Sequence, residues 1–212
     1  MLQCHQDGFV DLSRLLEPAS VAVLGASDRA GNIGGHTVGR LQRFGFKGPI
    51  WPVNQQGGSV AGLPAARSLA ELPAVPDLAI IALPAPSLEA AIEACIARGV
   101  RAGVVYTGGL GEAGGEGAAL EARIAARCRA AGFVLCGPNC VGFIHTGLPL
   151  PATFATALEE LDHLDAGGIS MVTQSGGIGT TPFYESQQAG FPFRILVSSG
   201  NEAVVDISDY LA

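Results

Sequence analysis

Short apolar runs alternate with amphipathic segments along the first two thirds of the chain. Short runs of β-branched and apolar residues are typical of buried strands, whereas apolar residues spaced three and four positions apart are typical of helices. The predicted strands are Val21–Leu24, Ile50–Val53, Leu78–Ala82, Ala102–Tyr106 and Phe133–Leu135, and the predicted helices are Thr37–Phe44, Leu88–Ala97 and Glu116–Ala131. Strands that alternate with helices in this way predict an α/β fold with a doubly wound parallel sheet.

The predicted helices end in a recurrent pattern, a basic residue in the last turn and a glycine just after it. Gly45, Gly99 and Gly132 hold these positions, where glycine can take the left-handed conformation that ends a helix. At helix starts, the spacing of Ser68 and Glu71 predicts a capping box, and Ser87 is the predicted cap of the helix after it. Ligands of doubly wound sheets bind at the carboxyl ends of the strands, so we expect the site in the glycine-rich loops there.

A stretch rich in proline and acidic residues interrupts the alternation of strands and helices. We interpret residues 12–146 as a first domain, 147–167 as a linker and 168–212 as the amino-terminal part of a second α/β domain. In the last part, Gly168–Thr173 and Phe193–Ser198 are the predicted strands, and Gly177–Ala189 and Val204–Ala212 are the predicted helices. So few elements cannot cover both faces of a sheet, and we expect the second domain to be incomplete.

Composition and charge argue against nucleic acid and membranes as partners. The 212 residues include 12 basic and 19 acidic side chains, which give a net charge of −7, and they hold no cluster of Lys and Arg. A nucleic-acid surface needs such a cluster, and no apolar run reaches the roughly 18 residues of a membrane span, so we expect neither partner. If the protein binds a polyanion, we expect backbone amides to provide most of the contacts.

The cysteines predict a reducing environment. Their number is odd, they are scattered, and no secretory segment accompanies them, so we expect no disulfide framework and a cytoplasmic location. They are Cys4, Cys95, Cys128, Cys136 and Cys140. The close pair at 136 and 140 lacks a second pair of metal ligands, so we expect a buried loop there and no metal.

The first glycine-rich loop, residues 25–35, follows a predicted strand and opens a predicted helix, where free amides can receive a phosphate. It departs from the dinucleotide fingerprint because Ser27 stands at the second glycine position, and because the second strand ends in the neutral Asn54 where an NAD site has an acidic residue. A phosphate site, a purely structural turn and an NAD(P) site all stay open on this loop alone.

Seven segments carry a resemblance to a known family. They are Val21–Arg29, Gly45–Asn54, Pro76–Ala85, Gly108–Glu112, Gly137–Gly142, Val172–Gly179 and Gly200–Asp206. In order and spacing they resemble the CoA-binding domain of NDP-forming acyl-CoA synthetases, a family that includes the α subunit of succinyl-CoA synthetase. The resemblance covers about residues 12–212. It implies a Rossmann-like CoA-binding domain followed by the start of a flavodoxin-like ligase domain.

The resemblance also implies which residues contact CoA. They are Gly25, Ala26, Ser27 and Arg29 at the nucleotide, Val53, Asn54, Ala82, Leu83 and Pro84 along the adenine and pantetheine path, and Asn139 near the thiol. Without the family, Pro84 reads as a strand stop and Asn139 as a turn cap. Where the family usually continues Asn-Pro-Lys, this chain has Asn54-Gln55-Gln56, so we expect weaker binding or a substitute cation in Arg29 or Lys47.

Gln174-Ser175-Gly176-Gly177 stands between a predicted strand and helix. The resemblance implies that Ser175, Gly176 and Gly177 receive the phosphate carried by a catalytic histidine, and the alternative is a plain serine cap. None of His5, His36, His145 and His163 has the family's Ser-His-Thr-Gly setting, so we expect packed or solvated imidazoles and no catalytic residue in this chain.

The resemblance predicts acyl-CoA synthesis from a carboxylate, CoA and ATP through an acyl phosphate, carried out together with parts that this sequence lacks. CoA is the expected ligand and substrate. ATP or ADP and Mg²⁺ are expected only through a separate or downstream ATP-grasp domain or subunit, and we expect a homo- or hetero-oligomer. A regulatory module that senses CoA or acyl-CoA without turnover and a nicotinamide oxidoreductase fragment are the alternatives.

Overall fold

A computed structural model describes residues 10–212 of the chain. The strands are β1 (Val21–Leu24), β2 (Ile50–Val53), β3 (Ser59–Val60), β4 (Leu63–Pro64), β5 (Leu78–Ile81), β6 (Ala102–Val105), β7 (Val134–Cys136), β8 (Gly142–His145), β9 (Leu150–Thr153), β10 (Ile169–Thr173) and β11 (Phe193–Ser198). The α-helices are α1 (Ser13–Leu16), α2 (Ile33–Arg43), α3 (Leu88–Arg98), α4 (Gly115–Ala131), α5 (Gly176–Gln188) and α6 (Ile207–Leu211). Short 3-10 helices lie at Leu69–Glu71, Ala85–Ser87, Gly111–Ala113 and Thr156–Leu158. Cys4 and His5 lie outside the described residues.

The first sheet is parallel and has five strands in the order β2-β1-β5-β6-β7. The chain runs outward from β1 to β2 on one side and then crosses to β5 on the other, so the strand order reverses at β1. This arrangement confirms the predicted doubly wound sheet. Ligands of such sheets bind in the crevice at the reversal point, outside the carboxyl ends of the strands.

Both faces of the first sheet are buried, which explains why its strands are continuously apolar. Val21 and Val23 of β1 face a core that also holds residues of α2 and of the second sheet. Ala22 and Leu24 face the opposite core, which α3 and α4 cover. The alternation of side chains along one short strand therefore fixes which helices lie on which face.

A second sheet has the order β10-β11-β8-β9 and mixes both strand directions. β10 and β11 are parallel, whereas β8 is antiparallel to both β11 and β9. Phe143 and Val197 face the core shared with the first sheet. Ile144 and Leu196 face Phe183 of α5 on the other side. The second sheet is thus packed between the first unit and α5.

Residues 147–167, which the sequence analysis interpreted as a linker, contain β9 and the 3-10 helix Thr156–Leu158. Leu150, Leu158 and Leu161 are buried. Arg40 of α2, itself almost fully buried, forms an ion pair with Glu159 at 3.1 Å. β8 also lies within the predicted first domain but pairs only in the second sheet. β9 pairs with β8 across a short connection, whereas β8 pairs with β11 across about 50 residues, a separation that leaves no local sequence signal.

Local signals for helix ends were more reliable than those for helix starts. Gly99 and Gly132 take left-handed conformations directly after α3 and α4, with φ of 91° and 63°. The predicted caps Ser68 and Ser87 make no side-chain capping bond. Glu71 instead accepts a hydrogen bond from the amide of Arg67 at 2.7 Å. Among residues 10–212, no helix combines the length and apolarity that a membrane crossing requires.

Candidate functional site

A cavity of about 660 Å³ lies at the carboxyl ends of β1, β2 and β5, where the strand order of the first sheet reverses. Of the residues predicted to contact CoA, Gly25, Ala26, Ser27, Arg29, Val53, Asn54 and Leu83 line it. The lining also includes Asn32, Gln55, Gln56, Arg67, Ser68 and Ser87, none of which was predicted as a contact. The structure therefore gathers loops that follow three different strands around one crevice.

Ala82, Pro84 and Asn139 do not line this cavity. The carbonyl oxygen of Ala82 faces the first turn, where a Cβ on Gly25 would lie 2.3 Å from it. Gly25 also has a φ of 83°, so this position requires glycine for the turn itself. Pro84 precedes the 3-10 helix Ala85–Ser87, and its carbonyl accepts from the amide of Ser87 at 2.9 Å.

Asn32 holds the glycine-rich loop closed, a role that the sequence analysis missed. Its Oδ1 accepts from the amides of Ser27 at 3.0 Å and Gly35 at 2.7 Å, and its Nδ2 donates to the carbonyl of Gly25 at 3.1 Å. Asn32 is also the N-cap of α2. Two amides at this helix start are therefore already satisfied, and other groups must supply much of the attraction for an anion. Asn directly before a helix is the signal that could have revealed it.

Asn54 joins the end of β2 to the same loop. Its Nδ2 donates to the carbonyl of Ala26 at 3.0 Å, and its Oδ1 accepts from the amide of Gln56 at 2.8 Å. Its backbone amide donates to Ala66 at 2.9 Å. Both polar atoms of the side chain are thus hydrogen-bonded within the protein, and Asn54 brings no negative charge to the wall of the cavity.

The charged side chains that line the cavity are both arginines, Arg29 and Arg67, and no Asp or Glu lines it. Neither arginine forms an ion pair with a described residue. Among the described residues, the side chain of Arg29 makes one hydrogen bond, to the amide oxygen of Gln56 at 3.5 Å. Lys47, the other predicted substitute cation, precedes β2 and so lies toward the amino ends of the strands, away from the cavity. Arg67, which the sequence analysis did not predict, lines the cavity, whereas Lys47 does not.

Ser68 and Ser87 also line the cavity. Because neither serine caps its helix, both hydroxyls are left available to a ligand. Hydroxyl groups and guanidinium groups donate hydrogen bonds to phosphate oxygens. The lining is thus positively charged and rich in donors, although the whole chain carries a net charge of −7.

A second polar cluster lies around Asn139. Asn201 Oδ1 accepts from Asn139 Nδ2 at 3.1 Å, and Asn201 Nδ2 donates to Glu112 at 2.6 Å and to Glu121 at 2.7 Å. The amide of Asn201 donates to the carbonyl of Pro138 at 2.9 Å. Hydrogen bonds from Asn201 and from backbone amides hold the pKa of Glu112 below its ordinary value against the opposing effect of desolvation. Three loops that are distant in sequence meet here through one asparagine side chain.

Two hydrogen bonds connect this cluster to the cavity along the carboxyl edge of the first sheet. Thr107 Oγ1 donates to the carbonyl of Leu83 at 2.5 Å. The amide of Asn139 donates to the carbonyl of Thr107 at 2.9 Å. Asn139 has a φ of 56°, which asparagine tolerates better than most residues. It therefore stands at the far end of a continuous edge that starts at the cavity.

The loop before α5 lies beside the Asn139 cluster. The carbonyl of Gln174 accepts from the amide of Gly200 at 3.2 Å and from Ser198 Oγ at 3.3 Å. Ser175 is the N-cap residue of α5, but its side chain makes no capping bond. The plain serine cap is therefore not formed. Gly176 packs tightly, since a Cβ there would lie 2.4 Å from Val141.

None of the described histidines lines the cavity. His36 and His163 are exposed, and His163 lies 3.4 Å from Asp165. His145 is buried, and neither ring nitrogen has a hydrogen-bond partner among the described residues. Burial, followed by the positive charge of Arg194, lowers the pKa of His145. It is a packed imidazole on β8, far along the chain from the loops of the cavity.

The described cysteines are buried free thiols. Burial raises the pKa of both Cys95 and Cys128 to about 12, so these thiols stay protonated and unreactive near neutral pH. Cys136 and Cys140 donate to the carbonyls of Ser198 and Val105. Within residues 10–212, no group of three or more His, Cys, Asp or Glu side chains is arranged to hold a metal ion.

Comparison with known proteins places this geometry in a family. A family model described as a CoA binding domain matches residues 19–146, and one described as a succinyl-CoA ligase like flavodoxin domain matches residues 166–212. The ADP-forming acetate–CoA ligase I of Archaeoglobus fulgidus is 36% identical over 200 residues, which are 94% of this chain and 28% of that protein. The α subunit of the ADP-forming acetate–CoA ligase I of Pyrococcus furiosus is 32% identical over 95% of this chain and 44% of the subunit.

Solved structures agree with these sequence matches. The apo form of the dinucleotide forming acetyl-coenzyme A synthetase 1 of Ca. Korarchaeum cryptofilum superposes with a TM-score of 0.87 at 30% identity, over 95% of this chain and 42% of that one. The chain thus spans less than half the length of each of these three relatives. Because the CoA binding domain model covers more than half of its residues, and the structure has the same fold as these ligases, this chain belongs to the CoA binding domain family and has ADP-forming CoA ligases as its relatives.

Proposed function

We propose that this chain binds CoA in the cavity at the strand-order reversal and serves as the CoA-binding portion of an ADP-forming acyl-CoA ligase. The observation that carries the proposal is the charge of the cavity. Arg29 and Arg67 line it without a carboxylate partner, in a protein with more acidic than basic residues. CoA carries a diphosphate and a ribose phosphate, so its nucleotide end is the part that such a lining attracts.

The nucleotide of CoA is proposed to lie at Gly25, Ala26, Ser27 and Arg29, with Val53, Asn54 and Leu83 beside it. The pantetheine arm then runs along the carboxyl edge of the sheet past Ala82 and Pro84 toward Asn139. From β1 to β7 this edge crosses three strand spacings, about 14 Å. The hydrogen bonds from Leu83 through Thr107 to Asn139 support this path because they keep the edge continuous.

Ser175, Gly176 and Gly177 are proposed to receive a phosphoryl group at the start of α5. The hydroxyl of Ser175 is not used for capping, and the positive end of a helix favours an anion. A phosphate at this helix start would lie near the Asn139 cluster, where the thiol arm is proposed to end. The solved relative from Ca. Korarchaeum cryptofilum has also been obtained in complex with phosphate and ADP.

The rest of the ligase reaction is proposed to need other parts. A phospho-histidine and an ATP-grasp domain or subunit would handle ATP, ADP and Mg²⁺ and would make the acyl phosphate that CoA attacks. A cytoplasmic location and a homo- or hetero-oligomer belong to the same proposal, and the free cysteines support a reducing compartment.

Isothermal titration of the purified chain with CoA and with NADH tests the proposed ligand. We expect CoA to bind more tightly, because Asn54 stands where an NAD site has an acidic residue for the ribose hydroxyls, and because Arg29 and Arg67 can pair with the phosphates of CoA. Equal or reversed affinities would overturn the proposal. A thioester assay with ATP, CoA and a carboxylate should show no product from the chain alone, because the phospho-histidine and the ATP-grasp part of the proposed reaction both lie outside it. A phospho-histidine motif and an ATP-grasp domain encoded downstream or in a partner subunit would favour the ligase, whereas CoA binding by a protein without either would favour the sensing module.

A further inference from the structure

Most basic side chains of the described chain bind a carboxylate or a backbone carbonyl, but the two arginines of the cavity do not. Ion pairs with Asp or Glu engage Arg14, Arg40, Arg43, Arg123 and Arg127, and backbone carbonyls engage Arg98, Arg101 and Arg129. Of the basic residues left without such a partner in the described chain, Arg29 and Arg67 line the cavity, whereas Lys47 and Arg194 do not. A guanidinium that the protein leaves without an anion at the wall of a cavity is available to a ligand anion.

Arg67 stands beside the end of β2. Ala66 forms a parallel bridge with Val53, and its carbonyl accepts from the amide of Asn54 at 2.9 Å. The side chain of Arg67 lies against Gly57, since a Cβ on that glycine would be 3.4 Å from its Cγ and Nε. Arg67 therefore lies beside Gly57 and Arg29 beside Gln56, so both arginines adjoin the turn that follows β2.

The end of the second strand is where doubly wound folds recognise the ribose of a nucleotide. An acidic residue there binds ribose hydroxyls, whereas a nearby arginine accommodates a phosphate on the ribose. Here the side chain at the strand end is Asn54, which forms hydrogen bonds with Ala26 and Gln56. The arginine beside it is Arg67. The local chemistry thus fits a ribose that carries a phosphomonoester.

We infer that Arg67, with the adjacent Ser68, forms the subsite for the ribose phosphate of bound CoA and selects CoA over dephospho-CoA. The inference rests on the proposed function. Arg67 lies outside the segment directly after β2 in which the resemblance implies a lysine. This chain has Gln55-Gln56 there, so the cation comes from the next segment across the turn. Arg29, at the start of α2, is left for the diphosphate.

Titration of CoA, dephospho-CoA and NADPH against the wild-type chain and Arg67→Ala tests the inference. A charge-assisted hydrogen-bonded pair corresponds to about a tenfold to hundredfold difference in affinity. We expect the wild type to prefer CoA over dephospho-CoA by that factor, and Arg67→Ala to lose the preference while binding dephospho-CoA as before. Ser68→Ala should reduce the preference by a smaller factor. Arg194→Ala, which removes an unpaired arginine remote from the cavity, is the matched control and should keep it.

The outcomes separate the inference from the proposed function. If neither the wild-type chain nor any variant binds CoA, or if NADPH binds more tightly than CoA, both the proposed function and the inference are overturned. If Arg67→Ala keeps the preference for CoA, the inference alone is overturned and the phosphate lies elsewhere. Arg67 is exposed, so its removal should leave the urea midpoint unchanged, and Arg67→Gln repeats the test if the alanine variant unfolds.

Discussion

Asn32 links the stability of the first loop to the shape of the cavity, because one side chain both caps α2 and closes the turn. Asn32→Ala should lower the free energy of unfolding by about 1 kcal/mol, the usual cost of a lost cap, and should also weaken CoA binding. Asn32→Asp keeps the capping oxygen but loses the donor to Gly25 and brings a negative charge to the cavity. We expect Asp to preserve stability in urea titrations yet weaken CoA more than Ala does. Equal CoA affinity in all three proteins would contradict this role.

His145 should make stability depend on pH. Its pKa in the folded protein lies below the ordinary value of about 6.5 because it is buried and close to Arg194, whereas Glu17 opposes the shift only weakly. The unfolded chain therefore binds more protons below pH 6.5, so the stabilisation is complete above that pH and is lost as the pH falls toward the folded pKa. His145→Leu should flatten the urea midpoint between pH 5 and 7. His163→Gln, which changes an exposed imidazole, should leave the slope as it is.

At the scale of elements, two neighbouring glycines at the start of α5 should respond in opposite directions to the same substitution. A Cβ on Gly176 would lie 2.4 Å from Val141, whereas one on Gly177 would meet nothing within 4 Å. Gly176→Ala should therefore destabilise the chain by overpacking. Gly177→Ala should stabilise it by up to about 0.5–1 kcal/mol, because alanine loses less backbone entropy in a helix. Urea unfolding of the two variants checks both signs, and a shared sign would show that α5 does not pack against Val141 as described.

The contact between α5 and Val141 also matters for the proposed phosphate position. Val141 follows the Gly137–Asn139 turn, and its amide donates to Ser198 Oγ at 3.4 Å. The tight approach of Gly176 thus sets how far the start of α5 stands from Asn139. Only a residue without a side chain permits this distance, which gives Gly176 a packing role in addition to its proposed role in phosphate binding.

At the scale of the whole molecule, the large apolar side chains that are more than half exposed all lie, among the described residues, in the second unit. Ile169 on the edge strand β10 is 62% exposed, Ile178 on α5 is 65% exposed, and Phe191 is 77% exposed. Exposed apolar groups beside an unpaired strand edge promote association. We expect sedimentation velocity to show concentration-dependent self-association of the 212-residue chain. Ile169→Lys combined with Ile178→Glu should reduce it, and Val75→Lys, in the first unit, should not. A monomer at all concentrations would contradict this expectation.

The sequence by itself determined the elements of the first unit and the position of its main loops. The strands at Val21–Leu24 and Ile50–Val53 have the predicted bounds. Their apolar runs and flanking glycines are local signals, and burial on both faces makes those signals strong. The glycine-rich loop and the end of β2 could be assigned to the site because every strand of a parallel doubly wound sheet ends on the same edge.

Only the tertiary structure decided which distant segments meet. The pairing of β8 with β11, the contact of Asn201 with Asn139, and the place of Arg67 at the cavity each join residues that local patterns cannot relate. Periodicity reports which face of an element is buried, but it carries no information on which loop lies beside another at the edge of a sheet. That neighbourhood follows from strand order and register, which depend on the packing of the complete core.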